Sequence, residues 1–166
     1  MPEGEGTEGT EIERKFLVAD PPPDLDRHPS TAIEQGYLAV DDDGTEVRVR
    51  RRDGRALLTV KSGAGRSRVE EELEIEPERF ERLWPLTEGR RIEKRRYELP
   101  APGGATIELD VYAGALGGLV VAEVEFGSDE EADAFEPPAW LGPEVTDDPR
   151  FKNQRLARDG APVDRG

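Results

Sequence analysis

The 166-residue sequence has no cysteine, one histidine and one methionine. Without cysteine there can be no disulfide framework, no thiolate nucleophile and no sulfur-ligated zinc site. A lone histidine excludes His-rich metal centres and argues against a His-based triad. That residue, His28, sits in the Pro-flanked polar stretch DRHPS and reads as ordinary loop. No segment approaches the roughly 20 apolar residues of a membrane-spanning helix. The opening MPEGEGTEGT carries neither the basic patch nor the apolar run of a secretory signal. The expectation is therefore a cytoplasmic protein with no membrane partner. Apolar residues are scarce too, at 34%, with aromatics at 6%. A chain of this length must nevertheless bury roughly two-thirds of its unfolded surface.

Charge is what the sequence has in abundance. Charged residues make up 37% of the chain, with 38 Asp and Glu against 23 Lys and Arg, for a net charge of −15. The acidic excess argues against non-specific nucleic-acid binding over the surface, and no nucleic-acid partner is expected. It leaves room for a local basic site.

Residues 1–9 are rich in Gly and Glu and read as a disordered lead-in, and the tail over 159–166 reads as frayed. Between them, 10–158 reads as one domain. Turn signals recur as DDDG at 41–44, RDG at 52–54, SGAG at 62–65, PGG at 102–104 and GALGG at 114–118. The segments between them alternate with period two, the strand signature. Eight strands are expected, near 10–19, 32–40, 45–52, 55–62, 66–76, 90–100, 105–113 and 119–127. Helices are expected at 77–84, entered through Pro77, at 128–135 with Ser128 and Glu131 spaced as a capping box, and at 151–158. The fold class is mainly β (α+β), with an eight-stranded antiparallel sheet closed into a barrel and a few flanking helices.

Alternation puts i, i+2 and i+4 on one strand face, and in nearly every strand one face is charged. Glu11, Glu13 and Lys15 share a face of the first strand, and Arg48, Arg50 and Arg52 a face of the third. Lys61 follows on the fourth, Glu70, Glu72 and Glu74 on the fifth, and Lys94 and Arg96 on the sixth. Glu108 and Asp110 lie on the seventh, and Glu123 and Glu125 on the eighth. A barrel with apolar side chains inward and these charges in solvent is one reading. Two features favour the inverse. The charged faces contain almost no Ser, Thr or Gln, and the signs segregate by strand, which solvent would not reward. Small barrels normally fill their interior with side chains, so a charged bore implies a charged ligand. Arg and Lys suit phosphate oxygens, while carboxylates suit Mg²⁺ or Mn²⁺. A metal-complexed polyphosphate satisfies both.

EIERKFLV at 11–18 resembles the Glu-x-Glu-x-Lys signature of the CYTH superfamily, the triphosphate tunnel metalloenzymes. The resemblance continues in order through QGYL, VRVR, TVKS, EEELEI, LWPLTEGRRIEKRRY, ELDVY, AEVEF and RFKNQRLA. It covers residues 10–158, and the short single-domain bacterial tripolyphosphatases are the most similar members. The resemblance implies a charged tunnel in which a divalent metal, Mg²⁺ or Mn²⁺, is held by Glu11, Glu13, Glu123 and Glu125 with Asp110. Glu72 and Glu74 are further tunnel acids. Triphosphate is bound by Lys15, Arg48, Arg50, Lys61 and Arg96, with Lys152 on the carboxyl-terminal helix a further contact.

A Lys94–Tyr37 pair is implied to activate the attacking water. A lysine normally titrates near 10.4; crowding by Arg48, Arg50, Lys61 and Arg96 would bring Lys94 nearer neutrality. The implied activity is hydrolysis of inorganic tripolyphosphate to pyrophosphate and phosphate; the sequence leaves monomer or homodimer open. Class IV adenylate cyclase or thiamine or nucleoside triphosphatase activity on the same scaffold, and a non-catalytic polyphosphate binder, are the alternatives.

Overall fold

A computed structural model of the protein describes residues 12–42, 44–62 and 69–162. The lead-in over 1–9, Glu11 and residues 163–166 of the tail lie outside the described residues. Eight strands form: β1 (Ile12–Leu17), β2 (Ser30–Val40), β3 (Glu46–Arg52), β4 (Arg55–Ser62), β5 (Val69–Ile75), β6 (Arg91–Pro100), β7 (Thr106–Tyr112) and β8 (Val120–Phe126). Three short helices accompany them: α1 (Pro77–Leu83), α2 (Asp129–Ala134) and α3 (Asn153–Asp159). No helix among the described residues is long and apolar enough to cross a membrane.

The strands make one antiparallel sheet in the order β1-β8-β7-β6-β2-β3-β4-β5. Among the described residues the order does not return on itself, so the sheet is open there, where the alternation pattern predicts a closed barrel. The edge strand β5 explains why. Glu70, Glu71, Glu72 and Glu74 crowd its seven residues, all exposed, and a run of like charge is a poor template for a further strand. Its apolar residues are also uncovered, with Val69 and Leu73 61% and 52% exposed.

The chain divides into two compact units. The first comprises 1–30, 96–111 and 119–147. Its core is built from the apolar faces of β1, β7 and β8, where Phe16, Ile107, Leu109, Ala122 and Val124 meet Phe135 and Leu141. Arg14 sits on this same face and serves the packing. It donates to the carbonyls of Ala132 and Phe135 at 2.8 and 3.2 Å and is bidentate to Glu144. The cap expected at α2 forms: Ser128 Oγ accepts from Glu131 N at 3.1 Å, while Glu131 Oε1 accepts from Gly127 N.

The second unit comprises 31–95, 112–118 and 148–166. Val49, Ala56, Ile75 and Phe80 form its core, with Trp84 stacked on Phe80 at 5.2 Å. A 3-10 turn over Trp84–Thr87 follows α1 and delivers Thr87 under β2. A β-carbon on Gly36 would come within 2.5–2.8 Å of the Thr87 side chain. Thr87 cannot retreat freely, because its hydroxyl donates to Trp84 O and accepts from Arg91 Nε. Gly36→Ala should therefore lower stability by about 1–3 kcal/mol, the usual cost of overpacking, measured as a lower denaturant midpoint. An unchanged midpoint would mean that the turn yields.

Candidate functional site

In the first unit the strand register gathers the acids. Glu13 lies opposite Glu125, Lys15 opposite Glu123, and Glu108 opposite Glu123. Cross-strand partners share a face, so these side chains and Asp110 line the side of β1, β8 and β7 turned away from the core. Like charges directly opposite are unfavourable unless something positive answers them. Two cations do so in part. Lys15 Nζ lies 3.5 Å from Glu123, and Arg96 reaches Asp110, Glu108 and Glu123 at 2.7, 3.1 and 3.6 Å. Arg96 is bidentate to Asp110, which is only 2% exposed. Burial works against the charge on Arg96, yet the hydrogen bonds and charge of Asp110 hold its pKa above the ordinary arginine value. Among the described residues no three carboxylates converge as a ready-made metal cage.

In the second unit the register gathers cations and a phenol. Gln35 lies opposite Arg50 and Tyr37 opposite Arg48, while Arg48 in turn faces Thr59, and Thr59 faces Glu72. Tyr37 is 1% exposed and Gln35 fully buried. The register slips between Tyr37 and Ala39, a bulge of the kind that re-aims a side chain. The backbone of Tyr37 is clamped by the turn after α1, since its N donates to Arg90 O and its carbonyl accepts from Arg90 Nε. Burial pushes the Tyr37 phenol up to about 12, partly opposed by the positive charge of Arg48.

Arg48 is held by Glu46 at 3.2 Å, but its buried Nε has no hydrogen-bond partner. Lys94 is 5% exposed, with its ammonium 5.4 Å from the Tyr112 ring centroid. Helix α3 braces both cations through adjacent residues. Asn153 accepts from the Tyr112 hydroxyl at 2.8 Å, and Gln154 donates to Glu46 at 2.8 Å.

The remaining expected residues are more open. Lys61 is half-buried opposite Glu46. Glu72 accepts from Thr59 Oγ1, and Glu74, exposed, is bound by Arg55, which holds its carboxyl below the usual range. Lys152 is exposed immediately before α3. His28 lies in a loop, its Nε2 3.5 Å from Asp24.

Sequence reasoning passed over Gln35, Glu46, Thr59, Tyr112, Asn153 and Gln154, polar groups that touch the expected site residues or one another. A signal for three of them existed. Gln35 is i−2 to Tyr37, Glu46 is i−2 to Arg48, and Thr59 is i−2 to Lys61, so each pair shares a strand face. Asn153 and Gln154 had none, because their partners are distant in sequence.

Residues 9–144 match the CYTH domain. The chain is 51% identical to a curated inorganic triphosphatase of Nitrosomonas europaea, over 89% of this chain and 97% of that protein. It is 42% identical to an inorganic triphosphatase of Acetivibrio thermocellus, over 91% of this chain and 95% of that protein. Among solved structures, the crystal structure of an inorganic triphosphatase matches with a TM-score of 0.77 and 46% identity, covering 92% of this chain and 97% of the other. The order of charged strands, the eight-stranded antiparallel sheet and these matches agree: the chain belongs to the CYTH domain family.

Proposed function

We propose that the protein hydrolyses inorganic triphosphate to pyrophosphate and phosphate with the help of a divalent cation. The observation that carries this reading is Arg48, whose buried Nε is unsatisfied, in a chain 51% identical to an inorganic triphosphatase. A buried donor left without a partner costs about 1–3 kcal/mol, and a phosphate oxygen would remove that cost. Arg50 and Lys61 extend the cationic set of the second unit for a polyanion, Lys152 would contribute from the start of α3, and Lys15 is a further cation in the first unit. Arg96 acts as a fixed charge, already oriented by Asp110.

The metal would be held by Glu13, Glu123 and Glu125, with Glu11 and Asp110 as further ligands, Asp110 being bound by Arg96 in this structure. Their oxygens suit a hard cation such as Mg²⁺ or Mn²⁺. Phosphate oxygens and water would complete the shell of such an ion. The bound cation would offset the phosphate charge that opposes nucleophilic approach.

In the reaction, a water oxygen forms a bond to a terminal phosphorus and the bridging P–O bond breaks. Pyrophosphate leaves with the electron pair. Tyr37 keeps its proton at neutral pH, so it serves as a hydrogen-bond donor and not as the base. The proton of the attacking water would pass to Lys94, whose amine must be uncharged to take it. The buried cations supply the charge stabilisation that phosphoryl transfer chiefly requires.

Purified protein should release phosphate from tripolyphosphate with Mg²⁺ or Mn²⁺, far faster than from ATP, and chelation should abolish the release. No release with any divalent metal, or cyclic AMP as the main product from ATP, would refute the reading. Arg48→Ala should raise KM for tripolyphosphate about 10- to 100-fold, as expected for loss of a charged hydrogen bond of about 1.5–3 kcal/mol; steady-state kinetics decide this. Tyr37→Phe should lower kcat. It should also flatten the alkaline loss of stability. An unfolded tyrosine ionises near 10, whereas Tyr37 holds its proton to about 12, so the native fold loses relative stability as pH rises between these values. Denaturant titrations of both proteins across that window would test the difference.

A further inference from the structure

We infer that Gln35 is a positioning residue that sets the direction of the Tyr37 proton by way of Arg50. The inference rests on the triphosphatase reading above and deepens it. A fully buried glutamine is costly unless its amide is satisfied, and both ends of this one are. Arg50 Nε donates to Gln35 Oε1 at 2.7 Å, and Gln35 Nε2 donates to Tyr37 Oη at 2.7 Å.

The polarity of this chain is not a free choice. A guanidinium can only donate, so the amide oxygen must face Arg50 and the amide nitrogen must face Tyr37. The phenol oxygen is therefore an acceptor in this contact, and its single proton has to point elsewhere. Among the described residues it meets no acceptor. Gln35 and Tyr37 are i, i+2 on one face of β2, and the residue between them is the glycine packed against Thr87. The Gln-Gly-Tyr sequence thus has a separate reason for each member: an amide that orients, a missing side chain that lets Thr87 approach, and a phenol that is oriented.

Two consequences follow for the reaction. The remaining proton of Tyr37 is held away from Gln35 without the rotational freedom a hydroxyl normally has, which favours one oxygen position over others. Arg50 in turn is held at Nε by the same amide, so the clamp on the phosphate and the donor to it are aligned through one side chain. Gln35 touches no substrate in this scheme and acts only through its two neighbours.

The test is a pair of double-mutant cycles with Gln35→Leu, which keeps side-chain volume and removes both hydrogen bonds. With Tyr37, the readout is kcat on tripolyphosphate. Gln35→Leu should lower kcat about 10-fold in the wild-type background, the order expected for one misdirected hydrogen bond, and less than about 2-fold in the Tyr37→Phe background. With Arg50, the readout is tripolyphosphate affinity by calorimetry in chelator, where turnover does not interfere. Gln35→Leu should weaken binding about 5- to 10-fold in the wild type and little in the Arg50→Ala background. Equal losses in both backgrounds of either cycle, or no loss at all, would overturn the inference, because a purely structural glutamine gives additive effects. Gln35→Met, longer and more adaptable, runs the same cycles if the leucine variant fails to fold. Wild-type protein that binds but does not cleave tripolyphosphate would sink the triphosphatase reading alone, leaving the calorimetric cycle to judge Gln35.

Discussion

A guanidinium or ammonium withdrawn from water must be answered by something negative or by an oriented dipole, and the architecture of this protein follows from that requirement. Arg96 is answered in full by Asp110, Glu108 and Glu123. Arg50 is met by the carbonyl oxygen of a buried amide, and Arg48 by Glu46 on one side only. The shortfall at Arg48 matters more than the satisfied contacts. Buried pairs whose charges are fully matched add little net stability, whereas an unmatched buried donor is a standing cost that a ligand can relieve.

Much of the rest of the second unit serves to hold these groups still. The turn over Trp84–Thr87 and the following Arg90 fix β2 from below its backbone. Helix α3 is short and its sequence is polar, yet Asn153 and Gln154 tie it to Tyr112 and Glu46, and through them to Lys94 and Arg48. In the first unit the apolar core behind β1, β7 and β8 does the equivalent work. Phe16, Leu109 and Ala122 fix the register that brings Glu13 opposite Glu125.

The strands and helices were legible along the sequence because period-two alternation is strong when one face is charged and the other apolar. Among the described residues, all eight strands fall within two residues of the expected bounds, the expected start of β5 lying outside those residues. Sheet closure was not legible. Alternation within a strand says which residues share a face, but not whether the last strand finds the first, and the run of glutamates on β5 leaves it an edge. Alternation puts Arg14 on the apolar face with Ile12 and Phe16, but it does not say what the guanidinium meets there, which is α2 and Glu144.

The sequence by itself determined the chemistry: which side chains alternate together, how the signs divide among strands, and therefore that a polyanion and a hard cation suit them. Only the tertiary structure decided which charges were spent on each other and which were left over. Asp110 and Arg96, fourteen residues apart on different strands, neutralise one another, while Arg48 retains an open donor. Gln35 became an orienting group only when the register set it opposite Arg50. Alternation is a property of one strand, but compensation of a buried charge depends on its cross-strand neighbours, and pairing of strands through the folded sheet is what supplies them.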